Sequence, residues 1–400
     1  MQTATKTTPT PAARLGSADV RDRWRMGVEA RALVIVTAGL LAFGLATLYS
    51  ASAIVALQEE RGSAFYLLRQ LGGVALGVVA FAAAAKIDAE RWHRWAWPIM
   101  VASLLGMLVI VLPGTEFLAP RVNGSRRFLY GSSLQPSELA KFAVVVWTAM
   151  LVVKKGSQLR RLTKGVLPIL VVIGVLDLLA ILEPDLSVAM MFTLLMGTVL
   201  FVGGARVGHF VFLGALAVPV LWREIERLQY AVLRMASFLD PGSAPREVGY
   251  QLRQSLIAVG SGRLVGVGFG EGRQQYGFLP LGYNDFIGSN VGEEWGFIGI
   301  ILLVLAYAAY ALLGFRIARQ ARSQFLQLVA VGLTTTTVVT AYLHLGVVLG
   351  LLPTTGLTLP FVSYGRSNLV LSLAMTGILV NIGSARERVV GARATDPMAA

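Results

Sequence analysis

Ten apolar runs, each long enough to cross about 30 Å of hydrocarbon at roughly 20 residues apiece, dominate this 400-residue chain. They lie near residues 32–57, 66–85, 95–113, 136–153, 165–182, 185–203, 207–228, 291–315, 324–349 and 367–385. Backbone polar groups inside a bilayer must be paired within the segment itself, so runs of this length fold as helices. The expected fold class is all-α, a polytopic membrane protein with about ten transmembrane helices. Hydrophobic residues make up 55% of the chain and charged residues only 14%, a balance foreign to a soluble domain of this size. The first run follows about 30 polar residues and exceeds a cleavable signal core in length, so it is read as the first helix.

An even number of crossings puts both ends on one face. Basic residues gather in the N-terminal tail, in the loops at 86–94, 154–164 and 316–322, and in the C-terminal tail; the positive-inside rule makes that face cytoplasmic. The net charge of +13 does not point to nucleic acid. Lys154, Lys155, Arg160, Arg161 and Lys164 sit beside the membrane, where they set orientation and meet anionic headgroups. Residues 1–31 and 386–400 read as disordered cytoplasmic tails flanking a ten-helix domain at 32–385. With no cysteine in the chain, disulfides, thiolate chemistry and cysteine-ligated metals are excluded.

Two segments on the outer face exceed simple turns, 114–135 and 222–290, the latter a large extracytoplasmic loop between helices 7 and 8. It opens with Ile225, Leu228, Ala231, Val232 and Met235 at helical spacing, which continues the seventh helix along the interface until Asp240-Pro241-Gly242 ends it. The later GSGRLVGVGFGEG lacks the Gly-Lys-Ser/Thr ending of a phosphate loop and faces away from cytoplasmic nucleotide; it reads as turns and a flexible strap.

Asp285 stands in YGFLPLGYNDFIGSNVGEEWGFIG, just before the eighth run. A loop aspartate serves as a cap or turn residue more often than as a base. At the water–lipid boundary it is also where chemistry on a lipid-linked substrate needs an acid. Glu293 and Glu294 follow, either as like charges that raise the Asp285 pKa or as an acidic helix N-terminus. Glu138 and Lys141 in QPSELAK lie three apart on the fourth helix, a buried ion pair that fixes packing, lines an outward cavity, or does both. Arg126 and Arg127 present forks suited to phosphate, with headgroup snorkelling as the plainer reading. Asp185 is read as the cap of the sixth helix rather than as a catalyst. Asp177, inside the fifth helix, has no partner named by the sequence. Ser363, Tyr364, Arg366 and Asn368 follow a Pro- and Gly-punctuated run and are placed on the same cavity. His344 and Thr334–Thr337 in the ninth helix are read as interhelical hydrogen-bonding groups. No metal-binding set is assigned to the scattered histidines.

Together SRRFLYGSSLQPSELAK, LEPDLS, YQLRQSLIAVGSG, FLPLGYNDFIGSNVGEEWGFIG and LPTTGLTLPFVSYG resemble the shape, elongation, division and sporulation family, the FtsW and RodA peptidoglycan polymerases, in order and spacing along residues 30–385. The resemblance implies an inverting glycosyltransferase of the bacterial cytoplasmic membrane. It would polymerise lipid II from a polyprenyl-diphosphate-linked donor, with Asp285 as the essential acid. Asp285 would act as base, with Arg126, Arg127 and Lys141 stabilising the departing pyrophosphate. It further implies a class B penicillin-binding protein as transpeptidase partner, alongside other divisome proteins. A divalent cation, Mg or Mn, is compatible with a pyrophosphate, although no dedicated cage is visible. The motifs lean toward FtsW; a RodA-type elongation polymerase, a lipid II flippase and a scaffold are the alternatives. The chain departs from the family pattern at Tyr283-Asn284 (usually His-Thr), Arg366 and Asn368 (usually Gly and Ser), Phe128 (usually Trp) and Ser187 (usually Gly).

Overall fold

In a computed structural model, residues 20–120, 126–129, 134–227, 229–239 and 246–390 are described. Twelve α-helices fall among them: α1 Val28–Gln58, α2 Phe65–Lys86, α3 Arg91–Val111, α4 Pro136–Lys155, α5 Leu167–Leu182, α6 Leu186–Val202, α7 Val207–Arg227, α8 Gln229–Leu239, α9 Arg246–Ser261, α10 Ile287–Arg319, α11 Gln324–Val348 and α12 Arg366–Ile382. Seven spans are long and apolar enough to cross a membrane, and shorter apolar stretches in α6, α7 and α12 complete the ten expected crossings. The chain is a multi-pass, all-α membrane protein.

Burial separates the spans. The apolar window of α4 is 83% buried and that of α11 is 78%, against 22–39% for the other long spans, so these two run through the centre of the bundle while the others face lipid. Close packing elsewhere rests on small residues. Gly73 and Gly77 on α2 let α12 approach, since a Cβ at Gly73 would meet the Arg366 stem at 3.1 Å and one at Gly77 would overlap Leu373. Thr336 and Thr340 bond the carbonyls four residues back in α11, at 2.8 Å and 2.7 Å. These two threonines satisfy their own helix, while Thr337 hydrogen-bonds Tyr310 of α10, the interhelical role expected of the run.

Both chain ends meet on one face. The Gly27 N–H donates to the Gly383 carbonyl at 3.2 Å, and β1 Val20–Met26 pairs antiparallel with β2 Ser384–Val390. The tails expected to be without structure are thus paired over those stretches. Residues 1–19 and 391–400, Arg121, and the Asp240-Pro241-Gly242 stop lie outside the described residues.

The glycine-rich strap differs most from its expected flexibility. Helix α10 breaks at Gly296, whose φ of 64° and ψ of −158° interrupt its hydrogen-bond ladder. The strap fills that break. Val267 and Gly268 donate to the Glu293 and Glu294 carbonyls at 2.9 Å and 3.2 Å, while Phe297 and Ile298 donate to Arg263 and Leu264 at 2.9 Å and 3.1 Å. The approach is so close that a Cβ on Gly262, Gly266 or Gly296 would overlap backbone. At the membrane edge this pairing replaces what a broken helix loses.

Gly266→Ala should therefore cost about 3 kcal/mol or more, because it combines positive φ with a backbone clash. Gly270→Ala, at φ 79° with open space around it, should cost only about 1–2 kcal/mol. Thermal unfolding in detergent and protease sensitivity of the strap distinguish the two.

Candidate active site

Asp285 sits on the 277–286 loop, which is held by side chains drawn from three helices and the 357–365 run. Asn290 donates to the Gly282 carbonyl at 2.9 Å, and Tyr364 N–H to the Tyr283 carbonyl at 3.1 Å. Ser363 Oγ donates to the Asn284 carbonyl at 2.7 Å and accepts from Leu359 N–H at 2.8 Å. Gln70 in turn binds the Ser363 carbonyl at 3.1 Å and Gly365 N–H at 3.3 Å. His344 bridges both halves: Nε2 accepts from Gly288 N–H at 3.3 Å, and Nδ1 lies 2.9 Å from the Leu357 carbonyl. A carbonyl can only accept, so the proton is on Nδ1. The interhelical role expected of His344 is thus specifically a clamp on the Asp285 loop.

The electrostatics come from α4, α8 and the α5–α6 turn. Arg127 binds Asp185 Oδ2 at 3.1 Å and the Pro184 carbonyl at 3.0 Å, and Asp185 caps α6 by accepting from Val188 N–H at 3.3 Å. Glu183 beside it is 4% exposed, and its Oε1 has no partner among the described residues. Burial, then the neighbouring Asp185 charge, pushes its carboxyl up to about 8 against the pull of Arg127. Asp285 is only partly buried by surface area, yet loss of hydration raises its carboxyl to about 6. Arg127 and Arg234 oppose that rise, while Asp185 adds to it. An acid that is desolvated yet reachable lies in a cleft open to solvent. Lys141 and Glu138 pair at 2.8 Å, both nearly inaccessible, and Asn368 donates to the second Glu138 oxygen at 3.1 Å. Lys141 also acts on Asp185, so the ion pair and the Asp285 cleft form one charged system.

Several expected site residues are placed differently. Arg126 turns away to Glu116 at 2.7 Å and the Leu112 carbonyl at 3.1 Å, so its fork is occupied on the outer loop. Glu293 accepts from Arg273 and Gln274 N–H at 2.9 Å and 3.1 Å, and Glu294 bonds Ser50. These two acids anchor the strap; the rise at Asp285 comes from burial and Asp185 instead. Both hydrogen-bonding capacities of the Ser363 hydroxyl go to backbone, which makes it a positioning group. Tyr364 stacks its ring on Tyr66 and Tyr283 at 5.3 Å and 5.8 Å. Arg366 begins α12 and lies across Gly73, which supplies the room for it. Asp177 accepts from Thr193 at 2.8 Å. Sequence reasoning missed Arg234, which binds the Thr354 carbonyl at 3.4 Å and acts on Asp285; its position on the amphipathic α8 was the available signal. No cluster of three or more His, Asp or Glu side chains suited to a metal occurs among the described residues.

The family model described as cell cycle protein, covering FtsW, RodA and SpoVE, matches residues 31–388. The chain is 35% identical over 367 residues to the probable peptidoglycan glycosyltransferase FtsW of Trichlorobacter lovleyi, spanning 91% of this chain and 96% of that protein. It is 36% identical over 355 residues to stage V sporulation protein E of Bacillus subtilis, spanning 88% and 95%. Among solved structures, a chain from a peptidoglycan synthase complex that coordinates polymerization and crosslinking gives a TM-score of 0.72 at 27% identity, over 88% of this chain and 96% of that one. RodA of Thermus thermophilus gives 0.63 at 26% identity, over 88% and 95%. The chain belongs to the FtsW, RodA and SpoVE family.

Two outcomes test this arrangement. Lys141→Met leaves Glu138 buried without its cation and should cost about 3–5 kcal/mol, and Glu138→Gln added to it should restore part of the loss in thermal unfolding. Glu183 holds its proton to about pH 8 in the folded state, so its contribution to stability is present below about pH 4.5 and lost as pH rises through 8. Glu183→Gln should remove that alkaline decline from the melting curve and leave acid stability unchanged.

Proposed function

We propose that this protein is an FtsW-like peptidoglycan glycosyltransferase that polymerises lipid II at the outer face of the bacterial cytoplasmic membrane during division. The reading rests most on one observation: a loop carboxylate, Asp285, desolvated yet reachable, within electrostatic reach of two arginines. In the reaction an acceptor sugar hydroxyl attacks the anomeric carbon of a polyprenyl-diphosphate-linked donor, with inversion. Asp285 takes the hydroxyl proton, the new C–O bond forms, and the electron pair of the breaking bond leaves with the diphosphate. Arg127, Arg234 and Lys141 supply positive charge where that negative charge develops, in a setting of low dielectric that strengthens their effect. Arg126 acts outside this set, holding the outer loop through Glu116. The FtsW names of the relatives support a division role, and the synthase complex among the structural relatives supports a crosslinking partner, a class B penicillin-binding protein.

Asp285→Asn should lower glycan synthesis from lipid II by about 10²–10⁴-fold while the protein stays folded. Lipid II translocation in vesicles that survives this change, with no glycan made by the wild type, would indicate a flippase. In the wild type, activity should fall as pH drops below about 6, because only the carboxylate accepts a proton. Arg127 holds the Asp285 carboxyl down, so Arg127→Gln should move that limb to higher pH.

A further inference from the structure

A recess borders the Asp285 loop at the outer end of α1. Its volume is about 460 Å³, and its walls include Val55, Gln58 and Glu59 from the outer end of α1 with Pro280, Leu281 and Tyr283 from the loop. That volume falls within the roughly 300–1,000 Å³ of small-molecule sites. We infer that this recess is the acceptor subsite, which takes an N-acetylhexosamine unit and delivers its hydroxyl to Asp285; the inference rests on the polymerase reading and assigns its acceptor side.

The chemistry of the walls selects the ligand class. Among the described residues no cation lines the recess, so it suits a diphosphate less well than the surroundings of Asp185 and Asp285, where Arg127, Arg234 and Lys141 act. Val55, Pro280 and Leu281 offer apolar surface, Tyr283 an aromatic ring, Gln58 an amide and Glu59 a carboxylate. Apolar and aromatic faces with a few fixed polar groups match a pyranose, which presents C–H faces and a rim of hydroxyls. Arg61, which pairs with the lining Glu59 at 3.4 Å, is also drawn onto the Phe65 ring at 4.2 Å.

The walls are fixed in place. The Tyr66 hydroxyl lies 2.8 Å from both Glu59 carboxylate oxygens, and Tyr283 donates to Tyr66 at 3.4 Å. The Tyr66 and Tyr283 rings stack 4.6 Å apart. Gln58 donates to the Tyr276 carbonyl at 3.2 Å, and its own carbonyl abuts Gly277, where a Cβ would sit 3.3 Å away. The end of α1 is set by Glu60 at φ 58° and by Arg61 N–H donating to Ala56 at 2.9 Å. A site that needs no ordering on binding loses less affinity to entropy.

Reach completes the argument. Tyr283 is two residues from Asp285, at most about 7 Å along an extended chain, which a single sugar ring spans. Tyr283, which lines the recess, thus joins it to Asp285 along one loop.

The test uses full-length protein in detergent with the soluble GlcNAc–MurNAc disaccharide as probe, read by saturation-transfer NMR. Wild type and Asp285→Asn should bind it alike, and Gln58→Ala and the space-filling Val55→Trp should each weaken it about tenfold. In polymerisation assays Gln58→Ala should raise KM for lipid II about tenfold with kcat within about twofold, and undecaprenyl diphosphate should bind this variant as it binds wild type. Absence of disaccharide binding to wild type, or binding untouched by both recess variants, overturns the inference. So does a loss in kcat with KM unchanged. Glycan synthesis that persists in Asp285→Asn instead overturns the base assignment, and the disaccharide measurement still reads the recess independently.

Discussion

Non-helical backbone at the edge of a bilayer is stable only when the protein itself supplies its hydrogen bonds, and the working end of this molecule is built on meeting that demand. Helix α10, which begins at Ile287 directly after the loop that carries Asp285, is interrupted at Gly296. The strap from Arg263 to Gly268 takes up the carbonyls and N–H groups left at the break. On the other side, Ser363, Tyr364 and His344 take up those of residues 283–288. With both flanks paired, a loop that would otherwise fold into helix or fray into water presents a carboxylate at one defined position.

That position matters because of what surrounds it. A carboxylate moved into a poorly hydrated cleft holds its proton more tightly, and opposite charges nearby reverse part of the shift. Asp285 lies between those influences, raised to about 6 by burial and held there by Arg127 and Arg234, so it is ionised at neutral pH yet still basic enough to accept a proton. Its neighbour Glu183, also desolvated and raised by the same Asp185 charge but opposed by Arg127 alone, rises to about 8. Two acids of one cleft are thereby set to opposite protonation states, the pattern by which environment assigns acid and base roles.

The spans, and with them the meeting of both chain ends on one face, were legible because hydrophobic length is a local property of sequence. So was the Glu138–Lys141 pair, since i and i+3 on a helix share a face. What could not be read was direction in irregular backbone. Arg126 and Arg127 are adjacent and chemically identical, but successive residues of an extended segment point to opposite sides, so one meets Glu116 and the other Asp185. The glycine strap was misjudged for a related reason: glycine signals freedom in an isolated chain and close approach in a folded one, and only the tertiary fit to α10 decides between them. Arg234 was passed over because its target lies on a different element far along the sequence.

The asymmetry of the cleft also bears on the direction of the reaction. Arg127, Arg234 and Lys141 act around Asp185 and Asp285, and the recess walled by Gln58, Glu59 and Tyr283 lies at the outer end of α1. A diphosphate is drawn to the first by Coulomb attraction and finds no counter-charge in the second. A sugar without charge gains nothing from the first and finds shape and apolar contact in the second. In the proposed reaction the cations would hold the departing diphosphate and the recess the acceptor sugar, so the distribution of charge, more than any single contact, would assign the two substrates.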